Sequence, residues 1–390
     1  MRVALPDPRV EVRGAAWLEE SSDGLLPHRL PAWTRAQFPD DFMAMAQMQP
    51  SGVRLRFRTA ARTVTLEVRV LREVVEPAPP HAPQPYDVVV DGVAVPQESA
   101  TASRSGFVLL EPVGRTTVEQ PGPPGTVDLV LGGDGTVERD VEVWLPPSEV
   151  TRVVALTADA PVAPPHPVTA PRWVHHGSSI SHGAGADSAL GAWPVVAART
   201  LGLDLVNLGL SGNAVLDPFV ARAIRDQPAD VISLKLGINV VNHDAMRLRA
   251  FTPAVHGFLD TVREGHPTTP LVLVSPLLSP IIETAPGPTS LDPADPTVFR
   301  STGRPSEGAL SLTVIRSVLR AVVDSRADRA LTYVDGLSLY GWDDRDEHPI
   351  PDLVHPGPEA HRLIGERFAD VLADLPTLSG RRARSRRPRA

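Results

Sequence analysis

Residues 172–183 read Arg-Trp-Val-His-His-Gly-Ser-Ser-Ile-Ser-His-Gly. A short run from Arg172 to His176 breaks at Gly177 into small polar residues. A buried strand running into a loop at a sheet edge reads this way. The same rhythm returns downstream. Strand-like segments at 204–210, 230–236, 271–275 and 331–334 alternate with helical patterns at 190–201, 218–226, 245–263, 308–325 and 359–375. Five strands separated by helices predict a three-layer α/β/α domain on a parallel sheet, spanning 172–376.

Working backwards from Arg172, the residues Pro161 to Pro171 are rich in proline and predict a stiff linker. Before it the pattern has period two. Val53 to Arg58 and Thr63 to Val70 alternate apolar with polar residues. Tyr86 to Val90 runs into Asp91-Gly92, a hairpin signal, and further strand-like runs lie at 127–131 and 141–145. Short strands, Gly/Pro turns and no long helical pattern predict an antiparallel, jelly-roll-like β-sandwich over 1–160. At the other end, 377–390 carries six Arg in its last ten residues and reads as a basic, disordered tail.

Composition narrows the function classes. The chain has 390 residues, 42% hydrophobic and 22% charged, which is ordinary for a globular protein. No apolar run reaches the length of about 18 residues that a transmembrane helix needs. The opening MRVALPDPRVEVRG has no apolar h-region, so a secretory signal is not expected and a cytoplasmic location is. Cysteine is absent, which excludes disulfides, thiolate metal sites and a Cys nucleophile. The net charge is −8, and the body without its basic end is more acidic still. Neither nucleic acid nor an anionic membrane is therefore an expected partner. Lys235 is the sole lysine, and the 42 Pro fit a GC-rich coding bias that says nothing about mechanism.

In open parallel sheets ligands bind beyond the carboxyl ends of the strands. Four loops fall there: His176 to Gly183, Asn207 to Asn213, Gly237 to Val240, and Asp352 to Pro356. Together they offer serine hydroxyls, a glycine N–H, a carboxamide, and an Asp and His three residues apart. A serine hydroxyl is a weak nucleophile until a base takes its proton. His355 is the candidate base, with Asp352 to orient its ring and stabilise the imidazolium. The Gly212 N–H, the Ser179 N–H and the Asn239 carboxamide are candidate oxyanion donors. The order Ser…Asp…His also occurs in α/β-hydrolases, but their Gly-x-Ser-x-Gly elbow is missing, since 177–181 ends in Ser181. A different scaffold is implied.

The four loops resemble the blocks of the SGNH, or GDSL, hydrolases. Gly177-Ser178-Ser179-Ile180 is similar to Gly-Asp-Ser-Leu, which places the nucleophile at Ser179. Gly212 matches the second-block glycine, Gly237-Ile238-Asn239 the Gly-x-Asn, and Asp352 to His355 the Asp-x-x-His. The resemblance covers 172–375 and implies a Ser179, Asp352, His355 triad with an oxyanion hole from Ser179, Gly212 and Asn239. Ser178 and Val240 depart from the usual Asp at their positions, where the family has neither triad nor oxyanion groups. His182 and Asp187, close after Ser179, are candidates for the pocket lining. His175 and His176 read as structural residues of the first strand. His355 and His361 lie six apart, a spacing that does not share a helix face, so no metal is expected. The Pro-rich connection 277–307 has no clear element and reads as a lid or pocket wall.

The chemistry implied is acyl transfer through an acyl-Ser179 intermediate, with no bound cofactor. Its partners are a small-molecule acyl donor and either water or a hydroxyl. A β-sandwich ahead of such a domain resembles carbohydrate-binding modules joined to carbohydrate esterases. The arrangement also resembles acyl-CoA-using SGNH acyltransferases of tetracycline-type polyketide tailoring. That resemblance implies movement of an aromatic acyl group from acyl-CoA to a deoxysugar hydroxyl. A catalytically silent sugar-binding protein is the reading from another class, and the intact Ser179, Asp352 and His355 stand against it.

Overall fold

The computed structural model describes residues 1–75, 82–98, 100–111 and 114–378. The Arg-rich end discussed above lies outside these residues. The chain divides into two compact units, one of Met1–Thr169 with Asp187–Leu190, the other of the remaining residues.

The first unit is β-rich. One sheet orders Thr116–Gln120, Gly106–Glu111, Thr63–Val75, Glu149–Ala158, Gly24–His28 and Trp17–Ser21. The other orders Val162–Ala163, Arg54–Thr59, Arg139–Trp144, Asp87–Val90 and Val93–Val95. Over Thr63 to Leu71 of the strand Thr63–Val75 the burial alternates residue by residue, as period two requires. Leu55, Phe57 and Val143 of one sheet share a core with Leu66, Val68 and Leu156 of the other. This is the antiparallel sandwich that the alternation predicts, with one parallel pair, Leu71–Val75 against Gly106–Leu110.

Two features depart from the sequence reading. A helix at Asp41–Met48 interrupts the strands, capped by the Asp40 carboxylate, which accepts from Met43 N at 2.8 Å. At eight residues it is too short to show a clear helical period against its apolar flanks. The Pro-rich stretch, read as a stiff linker, also pairs with a strand at its start. Val162 and Ala163 pair with Thr59 and Arg58, and the Arg58 and Arg56 guanidiniums donate to Pro164 O and His166 O at 2.8 and 3.0 Å. Proline cannot donate to a ladder, but its carbonyl still accepts, and arginines on the adjoining strand Arg54–Thr59 supply the donors.

The second unit is a five-stranded parallel sheet in the order Asp204–Gly209, Arg172–Gly177, Val231–Lys235, Leu271–Val274, Leu331–Val334. Trp193–Leu201 packs on Pro358–Ala373, and Leu248–Gly265 packs on Pro218–Arg225 and Leu312–Ser325. Alternation along the first strand explains the neighbouring His175 and His176. His175 shares a face with Trp173, where both rings lie against Trp193. His176 turns to the other face and stacks on Phe258, 5.8 Å between centroids. The strand order reverses direction between the Arg172–Gly177 and Val231–Lys235 strands. A crevice opens at such a switch point, and the loops after these two strands flank it.

Helix starts differ by a few residues from the periodicity, each for a local reason. The third-layer helix begins at Trp193 because Pro194 suits a first turn. Another begins at Leu312 because Ser311 caps it, its Oγ accepting from Val314 N at 3.4 Å. Within 277–307 a hairpin forms from Thr289–Asp292 and Asp295–Ser301.

Candidate active site

Ser179 opens a single helical turn, Ser179–His182, directly after the first strand. The turn sits hard against the second strand. A Cβ at Gly209 would lie 2.3 Å from His182 N, so only glycine allows this approach. Asn207 secures the contact, its Nδ2 donating to Ser181 O at 2.9 Å and its Oδ1 accepting from Gly209 N at 2.9 Å. His182 is buried and its Nδ1 accepts from Ser211 N at 3.3 Å, which ties the first loop to the second. Asp187 is exposed and lies in the short segment that groups with the β-rich unit.

Ser179 Oγ lies 2.8 Å from His355 Nε2. On the far side of the ring, His355 Nδ1 lies 2.5 Å from Asp352 Oδ2. A carboxylate accepts, so Nδ1 carries the proton and Nε2 is left to accept from the serine hydroxyl. Asp352 Oδ1 also accepts from His355 N at 2.6 Å and from Val354 N at 2.9 Å, which folds Asp352–His355 into a tight turn. Leu353 holds a φ of 69° there. That left-handed conformation costs a branched residue about 1–2 kcal/mol. Ser279 Oγ donates to Leu353 O at 2.9 Å and Phe299 N donates to Asp352 O at 3.0 Å, so the turn is held from outside. Burial opposes charge on Asp352, but the hydrogen bonds from His355 and the turn outweigh it and hold the carboxyl below its ordinary value.

The other two loops carry the remaining candidates. Gly212 takes a φ of 63° and its carbonyl accepts from His243 Nε2 at 2.8 Å. Gly237 takes a φ of 112°, where a Cβ would meet Ile315 Cγ2 at 2.3 Å. Asn239 follows in the first turn of Ile238–Asn242 and is 2% exposed. Its Oδ1 accepts from Ala214 N at 3.1 Å, which assigns the amide flip and leaves the NH₂ end as a donor for another group.

The hairpin is the part that motif reading missed. The Phe299 ring meets His355 edge-on, 5.9 Å between centroids. Its sequence signal was slight, namely alternation over 297–301 in a Pro-rich segment. His361 is not paired with His355 as a ligand. It accepts from Trp193 N at 3.2 Å and contacts Ala184 O at 2.9 Å. Among the described residues no cluster of three or more His, Cys, Asp or Glu is arranged to hold a metal ion, and no helix is long and apolar enough to cross a membrane.

Residues 176–363 match the GDSL-like Lipase/Acylhydrolase family. The α/β unit is a GDSL-like acylhydrolase domain. Ahead of this acylhydrolase domain, residues 10–154 match the family described as the SsfX3 N-terminal domain. Among solved structures, the chain is similar to the salicylyl-acyltransferase SsfX3 from a tetracycline biosynthetic pathway, at 27% identity and a TM-score of 0.77, covering 97% of this chain and 98% of that one. A GDSL-like lipase from Bacteroides ovatus shares its fold at 18% identity and a TM-score of 0.67, with 96% and 97% covered. A family two carbohydrate esterase from Clostridium thermocellum does so at 13% and 0.61, with 94% and 98% covered. A search of curated protein sequences finds no match. The acylhydrolase domain is thus an enzyme domain whose structural neighbours include both an acyltransferase and esterases.

Proposed function

We propose that the protein is an O-acyltransferase that moves an acyl group from acyl-CoA to a sugar hydroxyl of a glycosylated small metabolite, through an ester on Ser179. The observation that carries this reading is the chain of contacts Ser179 Oγ to His355 Nε2 to Asp352, at 2.8 and 2.5 Å. Ser179 Oγ attacks the thioester carbonyl while His355 Nε2 takes its proton. Asp352 stabilises the imidazolium. The Ser179 and Gly212 N–H groups and the Asn239 NH₂ receive the oxyanion. The C–S bond breaks, and the departing thiolate takes the proton from His355. In the second half His355 removes a proton from the acceptor hydroxyl, which attacks the Ser179 ester, and the proton then returns to Ser179 Oγ.

Transfer is preferred over hydrolysis because of the full-length likeness to an acyltransferase, in both the acylhydrolase domain and the one before it. A positioned hydroxyl outcompetes water readily, since effective molarities of bound reactants reach about 10⁵–10⁸ M. The hairpin at Thr289–Ser301 shields the triad imidazole from bulk water on one side. The β-rich unit, by its sandwich architecture, serves as a sugar-binding module. If water is the acceptor, the same residues make an esterase of O-acylated carbohydrates, and the likeness in fold to a carbohydrate esterase supports that second reading.

The test is mass spectrometry of the full chain after incubation with a panel of acyl-CoA thioesters. An acyl adduct on the Ser179 peptide is expected, with slow hydrolysis of acyl-CoA alone. Adding a glycosylated acceptor should discharge the adduct and yield acylated product in proportion to CoA released. Hydrolysis of simple esters at about 10 per second or faster, with no acceptor from a broad glycoside panel acylated, would leave the esterase reading. No turnover of p-nitrophenyl acetate or of any thioester would leave a sugar-binding protein.

A further inference from the structure

Gly212 and Asn239 lie on different loops of the α/β unit, and an oxyanion hole needs its donors at a fixed separation. The contacts that set this separation involve a residue outside the four motif loops. His243 is the C-cap of the short helix Ile238–Asn242, where its backbone N–H donates to Asn239 O at 3.1 Å. Its side chain reaches across to the second loop. His243 Nε2 lies 2.8 Å from Gly212 O, and a carbonyl only accepts, so Nε2 carries the proton. One residue thus touches both loops that bear oxyanion candidates.

Most donors of the loop it meets are taken. Leu210 N donates to Gly177 O at 2.8 Å, Ser211 N to His182 Nδ1 at 3.3 Å, Asn213 N to Leu210 O at 3.0 Å and Ala214 N to Asn239 Oδ1 at 3.1 Å. Among the described residues the Gly212 N–H has no partner, so it is the donor of this loop left for a ligand. The peptide that carries it is held from its other side, where Asn213 Nδ2 donates to Ser211 O at 2.6 Å. C=O and N–H point opposite ways across a trans peptide, so this bond also sets the direction of the Gly212 N–H. The next peptide is held by His243 through Gly212 O. Between the two stands a glycine at a φ of 63°, the residue with the greatest backbone freedom.

Two bonds therefore tie this loop to the helix Ile238–Asn242 and its cap: Ala214 N to Asn239 Oδ1, and His243 Nε2–H to Gly212 O. The first alone leaves a pivot, because it ends on a carboxamide whose own torsions turn with the loop. The second, on the other side of Asn213, removes that freedom. His243 is exposed, so no core packing calls for a ring at its position.

We propose that His243 is a positioning residue for acyl transfer: its Nε2–H clamps the Gly212 carbonyl and so holds the Gly212 N–H and the Asn239 NH₂ at the separation that the tetrahedral oxyanion requires. This rests on the reading of Ser179 as nucleophile and of Gly212 and Asn239 as oxyanion donors. Acylation of Ser179 and transfer from it both pass through such an oxyanion, so the clamp serves both halves of the reaction. Removing one donor outright costs about 10²–10³-fold in kcat. Loss of the clamp loosens the donors without deleting one, and should cost about tenfold.

The experiment compares His243→Phe and His243→Gln with the wild-type chain, by steady-state hydrolysis of p-nitrophenyl acetate and thermal melts of the same preparations. Phe keeps a planar ring and removes the donor, whereas Gln returns an amide N–H close to the place of Nε2. In His243→Phe, kcat should fall about tenfold with KM within about twofold. His243→Gln should recover most of that loss, and both melting temperatures should stay within about 2 °C of the wild type. Unchanged kcat in His243→Phe would overturn the proposal. A rise in KM alone would overturn it too, since that marks a side chain that binds substrate, as would a loss of kcat that Gln leaves unrecovered. Binding of phenylboronic acid reads the hole without turnover, because its tetrahedral adduct on Ser179 places an oxygen there. Its Kd should weaken about tenfold in His243→Phe, and an unchanged Kd would overturn the proposal. Ser179→Ala separates the two readings. If it keeps turnover, the nucleophile assignment fails; if it is inactive while His243→Phe is unimpaired, the clamp alone fails.

Discussion

The Phe299 ring stands edge-on to the His355 imidazole, with centroids 5.9 Å apart and planes at 72°. The same residue's backbone N–H donates to Asp352 O at 3.0 Å. One hairpin residue thus touches both the base and its carboxylate partner. Edge-to-face pairs of this kind contribute about 0.5–1.5 kcal/mol beyond area burial. Phe299→Ala should lower kcat/KM by about two- to tenfold. Because the ring is only half-buried on a surface hairpin, the melting temperature should scarcely move. Phe299→Leu, which keeps bulk without the ring quadrupole, should fall between. Steady-state kinetics and thermal melts on the same preparations decide it, and unchanged kinetics in the alanine variant would remove Phe299 from the site.

Ser179→Ala should abolish turnover and leave the circular dichroism spectrum intact. Loss of a triad nucleophile costs about 10⁴-fold or more in kcat. Among the described residues the hydroxyl bonds only His355 Nε2, so stability should hold. Retention of more than about a tenth of the activity would transfer the nucleophile's role to another residue.

Asn239→Ala should lower kcat by about 10²–10³-fold with little change in KM, the scale of one oxyanion donor. The substitution also leaves Ala214 N without its acceptor, so a modest fall in melting temperature should accompany it. A change in KM alone would make Asn239 a substrate-binding group instead.

Glu149, in the β-rich unit, offers a pH test of stability that leaves the triad untouched. Burial pushes its carboxyl up to about 7, against the opposing hydrogen bond from Gln84 N at 2.9 Å. Its Oε2 has no partner among the described residues. An acid whose folded pKa lies above its unfolded value binds more protons when folded. Stability should therefore be fullest below the unfolded value of 4.5 and decline as pH rises through about 7. The loss is on the order of 3 kcal/mol across that window. Glu149→Gln should flatten this slope. Denaturant titrations of both proteins at pH values on either side of the window are the measurement, and parallel curves would show that Glu149 does not titrate on unfolding.

Much of the architecture was open to reading along the chain, because burial imposes periods that local sequence must obey. Thr63–Val75 alternates because one face is wet, and Leu271–Val274 is wholly apolar because both faces are covered. The loops bearing Ser179, Gly212, Asn239 and the Asp352–His355 pair were legible for a related reason. Their residue types follow from chemistry; Ser179, Gly212 and Asn239 each stand just past a strand, and the Asp352–His355 pair stands just before the closing helix. Helix Asp41–Met48 and hairpin Thr289–Ser301 were not legible. Both are short, and their stability comes from a cap, a ladder and neighbours distant in sequence rather than from a period of their own.

What the sequence by itself determined is thus the class of fold, the order of its layers and the inventory of reactive groups. The tertiary structure alone decided which groups meet. It set Ser179 Oγ 2.8 Å from His355 Nε2, at a sequence separation of 176, and it turned His175 and His176 to opposite faces of one sheet. It also buried the sole lysine at the end of the central strand, its Nζ without a hydrogen-bond partner among the described residues. The physical reason is that hydrogen bonds and desolvation act over a few ångströms in space, whereas periodicity reports only whether a residue is buried.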